Sequence, residues 1–375
     1  MRRGTIVRWG VPIAAAAVIG AAVGAGPVIA AVSGAPALPE RTAQQLLADA
    51  AAAASSKGPL PMSGTVQLTA SLGLPALPSQ EGMGASPLSL LSGSHEAKVW
   101  YGDKGRMRIA LPGQMSETNV IVNGDQSWFW ESGTNTATRI RSTGEADHGR
   151  PETPASAVTP HEAAAQALAK VDADTAVSVT NTAEVAGRAA YQLVLTPKPS
   201  ASLVREVRVA IDGEKFMPLQ VQVYAKGSAE PAFQVGFTEV TFTPPADENF
   251  TFTPPSGAKV KEQDFSELKK SFGPKDGEAA AQEAAKESKV VGKGWTSVVV
   301  MPFKLDQAAE QGDQKQAQGQ AVTDAVLGAA TPVSGTWGSG KLLKTKLVSA
   351  LLTDDGRLLA GAVAPDELFK AAGIR

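Results

Sequence analysis

Residues 204–227 read VREVRVAIDGEKFMPLQVQVYAKG, and the period of this stretch decides the fold. Val207, Val209 and Ile211 alternate with polar or small residues, and Leu219, Val221 and Val223 answer after Asp212-Gly213. A period of two places each apolar set on one face of a strand. Asp-Gly between two such runs predicts a hairpin. One dry face and one wet face are what an antiparallel sheet shows.

The same texture extends in both directions. Upstream, Tyr191, Leu193 and Leu195 share a face, and a meander begins near Val177. Downstream, Phe233 to Phe242 continues it and ends in a Pro-Pro pair that recurs at Pro254-Pro255. Nearer the start, Val66, Leu68 and Ala70 alternate, as do Ala97, Val99 and Tyr101, and then Met107, Ile109 and Leu111. The aromatic run Trp128-Phe129-Trp130 follows an Asn123-Gly124 turn signal.

Helices are few. Residues 39–56 carry an apolar stripe of Ala43, Leu46, Leu47, Ala50, Ala51 and Ala54. A second helix is expected from Thr159 to Lys170, where Pro160 suits the first helical position and Glu162 completes a cap. The chain therefore reads as α+β, mostly antiparallel β, with thin helical cover on one apolar sheet face. Residues 259–292 read as a charged, Ala-rich helical linker. Residues 293–375 read as an extension, with a long hairpin around Asp355-Gly356 and a short helix from Pro365 to Ala372.

Composition narrows the function. The 375 residues are 43% hydrophobic and 19% charged, enough for a folded core. A net charge of −2 argues against a nucleic-acid partner, since phosphate neutralisation needs a basic surface. With no cysteine there is no disulfide, thiolate nucleophile, iron–sulfur cluster or lipidated Cys. His95, His148 and His161 lack metal-site spacing, and no nucleophile-elbow motif occurs. No catalytic residue, metal or cofactor is expected. Residues 335–342, GTWGSGKL, imitate a phosphate-binding loop but place Leu342 where Ser or Thr would hold magnesium. They read as a turn.

Arg2, Arg3 and Arg8 precede an uncharged run from Val11 to Val32. That is the layout of an export signal, and its length also suits a membrane anchor. Residues 1–37 are read as signal or anchor, with the rest of the chain outside the cytoplasm. The Leu72–Leu91 stretch, apolar but broken by Pro and Gly, reads as core cover, a lid or a membrane contact.

Three segments carry a family resemblance: AGRAAYQLVLTPK (186–198), the hairpin quoted first, and VGFTEVTFTPPADENFTFTPPSGAKV (235–260). They resemble the LolA-like superfamily of lipoprotein carriers and RseB/MucB-type sensors. The leading helix, Gly64 and Gln67, and VWYGDKGRMRIALPG (99–113) agree in order. The resemblance covers about residues 38–260, with 38–258 read as one domain, and implies a curved, incomplete β-barrel around an apolar cavity. Its expected lining is Val99, Tyr101, Met107, Ile109, Trp128, Trp130, Leu193, Leu195, Val207, Val209, Val221 and Val223, with a core role open for the two tryptophans. The implied function is non-enzymatic binding of lipid or lipoprotein acyl chains at a cell membrane. The alternative is a sensor docking on a membrane-bound regulator.

Overall fold

The computed structural model describes residues 38–55, 60–74, 92–113, 115–124, 126–141, 174–264, 288–303 and 328–374. Among these residues the helix α1 (Ala43–Ser55) precedes the strands β1 (Met62–Ser71), β2 (Ser92–Tyr101), β3 (Met107–Pro112), β4 (Glu117–Asn123), β5 (Gln126–Glu131) and β6 (Thr136–Arg141). A second run holds β7 (Thr175–Val185), β8 (Arg188–Pro197), β9 (Val204–Asp212), β10 (Pro218–Ala225), β11 (Pro231–Thr241) and β12 (Lys259–Asp264). The tail holds β13 (Lys289–Val291), β14 (Val298–Pro302), β15 (Thr331–Gly335), β16 (Gly338–Lys344), β17 (Ser349–Thr353), β18 (Arg357–Gly361) and α2 (Pro365–Ala372).

Twelve strands form one open sheet in the order β12-β6-β5-β4-β3-β2-β1-β11-β10-β9-β8-β7. Two meanders, β1–β6 and β7–β11, are joined where β1 pairs antiparallel with β11. The β12–β6 pair alone is parallel in this sheet. Register slips interrupt four pairings, β1–β11, β10–β11, β10–β9 and β7–β8. Each extra residue bends its strand and raises the twist, which curves the sheet. Gly64 sits at the β1–β11 slip, where a Cβ would lie 2.4 Å from the Glu239 carbonyl oxygen. Only glycine lets the two backbones come this close.

The hairpins follow their turn chemistry. Ala186 and Gly187 connect β7 to β8 in two residues, both with positive φ (53° and 72°), as a mirror-image turn requires. The turn expected at Asp212-Gly213 is longer, because β10 begins only at Pro218. Its geometry is set by the Asp212 carboxylate, which accepts the N–H groups of Glu214 (3.0 Å) and Lys215 (2.7 Å).

The tail is a second, six-stranded sheet ordered β13-β14-β18-β17-β16-β15. The continuous hairpin arm expected over residues 342–353 is broken: Thr345 and Val348 bond to each other, and β17 restarts at Ser349. Of GTWGSGKL, Thr336 and Trp337 form the turn between β15 and β16 and residues 338–342 are strand, with Trp337 stacked 5.5 Å from Phe369 of α2. No helix follows the glycines, so no helix N-terminus faces a phosphate there. Residues 259–264, expected in a helical linker, are strand β12, paired in parallel with β6. The Thr159–Lys170 helix and most of the Leu72–Leu91 stretch lie outside the described residues.

The two sheets are fastened together. Leu203 N–H donates to Ala362 O (2.9 Å), Ala364 N–H to Ala201 O (2.8 Å) and Lys346 N–H to Leu72 O (2.8 Å). Leu347 packs with Val204, Ala225 and Ala232, beside Leu72 and Trp295. The Trp295 indole N–H donates to Thr175 Oγ1 at 2.7 Å.

Candidate functional site

The face of the large sheet on which α1 lies is its inner face. Helix α1 begins with a capping box: Gln45 N–H donates to Thr42 Oγ1 (3.2 Å) and Thr42 N–H to Gln45 Oε1 (2.9 Å). Its apolar stripe sets Ala43, Leu46 and Leu47 against Tyr191, Leu193 and Ile211, with Val177, Val179, Leu195 and Val209 around them. The entry to the helix is pinned as well. The Tyr191 hydroxyl donates to Pro39 O (2.8 Å), Asn181 Nδ2 donates to Leu38 O (2.6 Å), and the Arg41 guanidinium lies 4.9 Å over the Phe216 ring.

Register places the expected lining residues. Val209 sits opposite Leu193 and Val221, and Val207 opposite Leu195 and Val223. Val99 sits opposite Ile109, and Tyr101 opposite Met107. The seam β1–β11 ties the two groups together, with Val66 opposite Phe237 and Ala97, and Leu68 opposite Val235. Val66, Val99, Val221 and Val235 form one buried cluster, with Tyr101, Ile109, Val207, Val209, Phe233 and Phe237 packed against it. Ten of the twelve residues thus share the inner face.

Trp128 and Trp130 do not. Phe129, between them, pairs with Val120, which pairs with Ile109, so Phe129 is the inward residue of β5. The two tryptophans lie on the outer face against Phe252, with ring centroids 5.5 and 5.8 Å away. Phe252 belongs to the segment 242–258, which crosses the outer face from β11 to the β6 edge. Phe250 of that segment is fully buried under the Arg106 guanidinium. A run of three consecutive aromatics has no alternation, so its period cannot name a face; the register of the neighbouring strands does.

The inner face has two parts. Over β7–β9 it is covered by α1. Over β2–β5 it carries Tyr101, Met107, Ile109, Leu111, Val120, Val122 and Phe129, all half-buried. Burial pushes the Tyr101 hydroxyl above its ordinary pKa, so it stays protonated and able to donate. Beyond Phe129 the face turns polar, with Thr136 and Thr138 of β6 buried. A cavity of about 30 Å³ opens at the bulges, lined by Val66, Leu219, Val221, Val235 and Phe237. Ligand pockets usually measure hundreds of Å³.

The outer face at the centre of the sheet is wet. Thr69, Gln234, Gln222 and Arg208 run in register across four strands, and Gln222 Nε2 donates to Gln234 Oε1 at 2.7 Å. Among the described residues no group of His, Asp or Glu is arranged to hold a metal ion. Among them also, no helix is long and apolar enough to cross a membrane; the run from Val11 to Val32 lies outside the described residues.

No family model matches the chain, and no curated protein matches it. Solved structures do. The MucA/MucB complex of Pseudomonas aeruginosa matches at 13% identity and TM-score 0.39, covering 88% of this chain and 96% of that one. A LolA superfamily protein from Nitrosomonas europaea matches at 13% identity and TM-score 0.21, covering 57% of this chain and 99% of that one. A conserved protein from Thermus thermophilus matches at 12% identity and TM-score 0.32, covering 60% and 100%. The superfamily that the sequence motifs resemble is thus named among the matching structures.

Proposed function

We propose that the chain is an extracytoplasmic, membrane-tethered binder of acyl chains, carried by lipids or lipoproteins, and that it performs no chemistry on them. The observation that carries this reading is the inner apolar face. It runs unbroken from Val179 on β7 to Phe129 on β5, and the part formed by Tyr101 and strands β3–β5 is only half-buried. An apolar patch of this extent in an exported protein usually marks an interaction site. A ligand chain of methylenes fits it because each buried CH₂ contributes about 0.8 kcal/mol without needing a hydrogen-bond partner. The Tyr101 hydroxyl offers one donor for an ester or carboxyl oxygen. The tether rests on the basic flank of Arg2, Arg3 and Arg8 and the uncharged run behind it.

Native mass spectrometry of the protein purified from membranes tests this. The expected spectrum shows the chain plus one lipid or acylated species, lost on mild delipidation. A bare chain that instead crosslinks to a membrane protein would favour the sensor reading.

A further inference from the structure

We infer that β12 is an exchangeable closing strand, and that the β6 edge beneath it is a docking site for an extended segment of a partner protein that sets an acidic residue opposite Arg139. The two strands are unequal. In β6, Thr136, Ala137, Thr138 and Ile140 are buried, so this strand belongs to the core. In β12, Lys259, Val260, Lys261 and Glu262 are exposed, Val260 at 56%, and Gln263 is half-buried. Strand β12 thus buries little side-chain surface, and its pairing is parallel, the weaker kind per residue. Its lysines are the residues that keep a free sheet edge from aggregating.

The firm anchor stops just before it. Asn135, itself at φ 49°, donates from Nδ2 to Gly257 O (2.9 Å), and Lys259 N–H donates to Asn135 O (2.8 Å). Phe250 and Phe252 hold residues 242–258 on the outer face. Residues 260–264 can therefore leave with the Asn135, Phe250 and Phe252 contacts intact. An edge of six residues with its ladder exposed takes another strand by backbone pairing.

The strand now seated there shows what the edge takes. It places Glu262 opposite Arg139, whose guanidinium stacks 5.9 Å over Trp128. An incoming segment with Asp or Glu at that register would likewise set a carboxylate opposite Arg139, a favourable cross-strand placement. This inference is independent of ligand binding on the inner face.

The full-length chain, a fluorescent peptide of sequence AKVKEQD (residues 258–264) and two variants test it. Lys261→Pro removes an N–H two residues beyond the Lys259 bond, the repeat of the parallel ladder, and opens the edge. Thr138→Cys with Lys261→Cys, directly opposed in register, locks the edge when oxidised, in a chain with no other cysteine. Expected results are a melting temperature for Lys261→Pro within about 3 °C of the parent and peptide binding at least tenfold tighter. Expected too are no binding to the oxidised lock and its recovery on reduction. A large fall in melting temperature for Lys261→Pro would show β12 to be part of the core. Equal binding to the opened and locked forms, or by a peptide with Lys at the Glu262 position, would also overturn the inference.

Discussion

Ala186 occupies a left-handed conformation, φ 53°, that an alanine side chain disfavours by about 1 kcal/mol. Ala186→Asn would give the Asn-Gly pair that such two-residue turns prefer. The expected gain is about 1 kcal/mol, a rise of about 2–4 °C in melting temperature by calorimetry. Nearby, Asp212 is fully buried and paired with Arg188. Burial alone would raise its pKa. The Arg188 hydrogen bond and the N–H groups of Lys215 and Glu214 outweigh burial and hold it below the ordinary carboxylate value. A depressed pKa in the folded state stabilises the fold above the unfolded value, near pH 4, and that stability is lost as the pH falls through the folded value. Urea midpoints should therefore drop below about pH 4, and less so in Asp212→Asn. Arg188→Met, which leaves the buried carboxylate without its partner, should cost about 3 kcal/mol at pH 7.

At the scale of elements, α1 is both a piece of core and the cover of the inner face. Leu46, with 0% exposure, anchors it. Leu46→Ala should cost about 2–4 kcal/mol in chemical denaturation. It should also tighten binding of a fluorescent fatty acid, because a loosened helix is easier to displace. Weaker binding would show that α1 itself forms part of the ligand's contact surface. The elements were unequally legible in the sequence. Strands β8 and β9 alternate, so the inner residues Tyr191, Leu193, Leu195, Val207, Val209 and Ile211 could be named; on β10 a register slip at Leu219 puts that residue in a cluster with Val185, Ala190 and Ala210, apart from Val221, which the alternation did not show. The Trp128-Phe129-Trp130 run could not be oriented, and Phe129, the residue that points inward, was missed. Strand β12 was missed because KVKEQD buries too little to show a period; only the neighbouring β6 edge makes it a strand.

Across the whole molecule, what the sequence left hidden is long-range pairing. The β1–β11 seam joins residues about 170 apart, and no local pattern signals which two meander edges will meet. The six-stranded tail was legible only in pieces for the same reason: β14 pairs with β18 across a wide sequence gap. Yet this seam is what makes the inner face continuous. It brings Val66 and Val99 into one cluster with Val221 and Val235. The proposed binding of acyl chains depends on that continuity, since a lipid chain of ordinary length needs contact with several strands at once.

Photocrosslinking with a diazirine-bearing fatty acid, followed by mapping of the labelled peptides, tests that claim most directly. The account predicts saturable labelling on the inner residues of β2 to β5, Tyr101, Ile109, Val120 and Phe129 among them, competed by unlabelled acyl chains. Labelling confined to the outer face or to the six-stranded sheet, or none that unlabelled acyl chains compete, would contradict it.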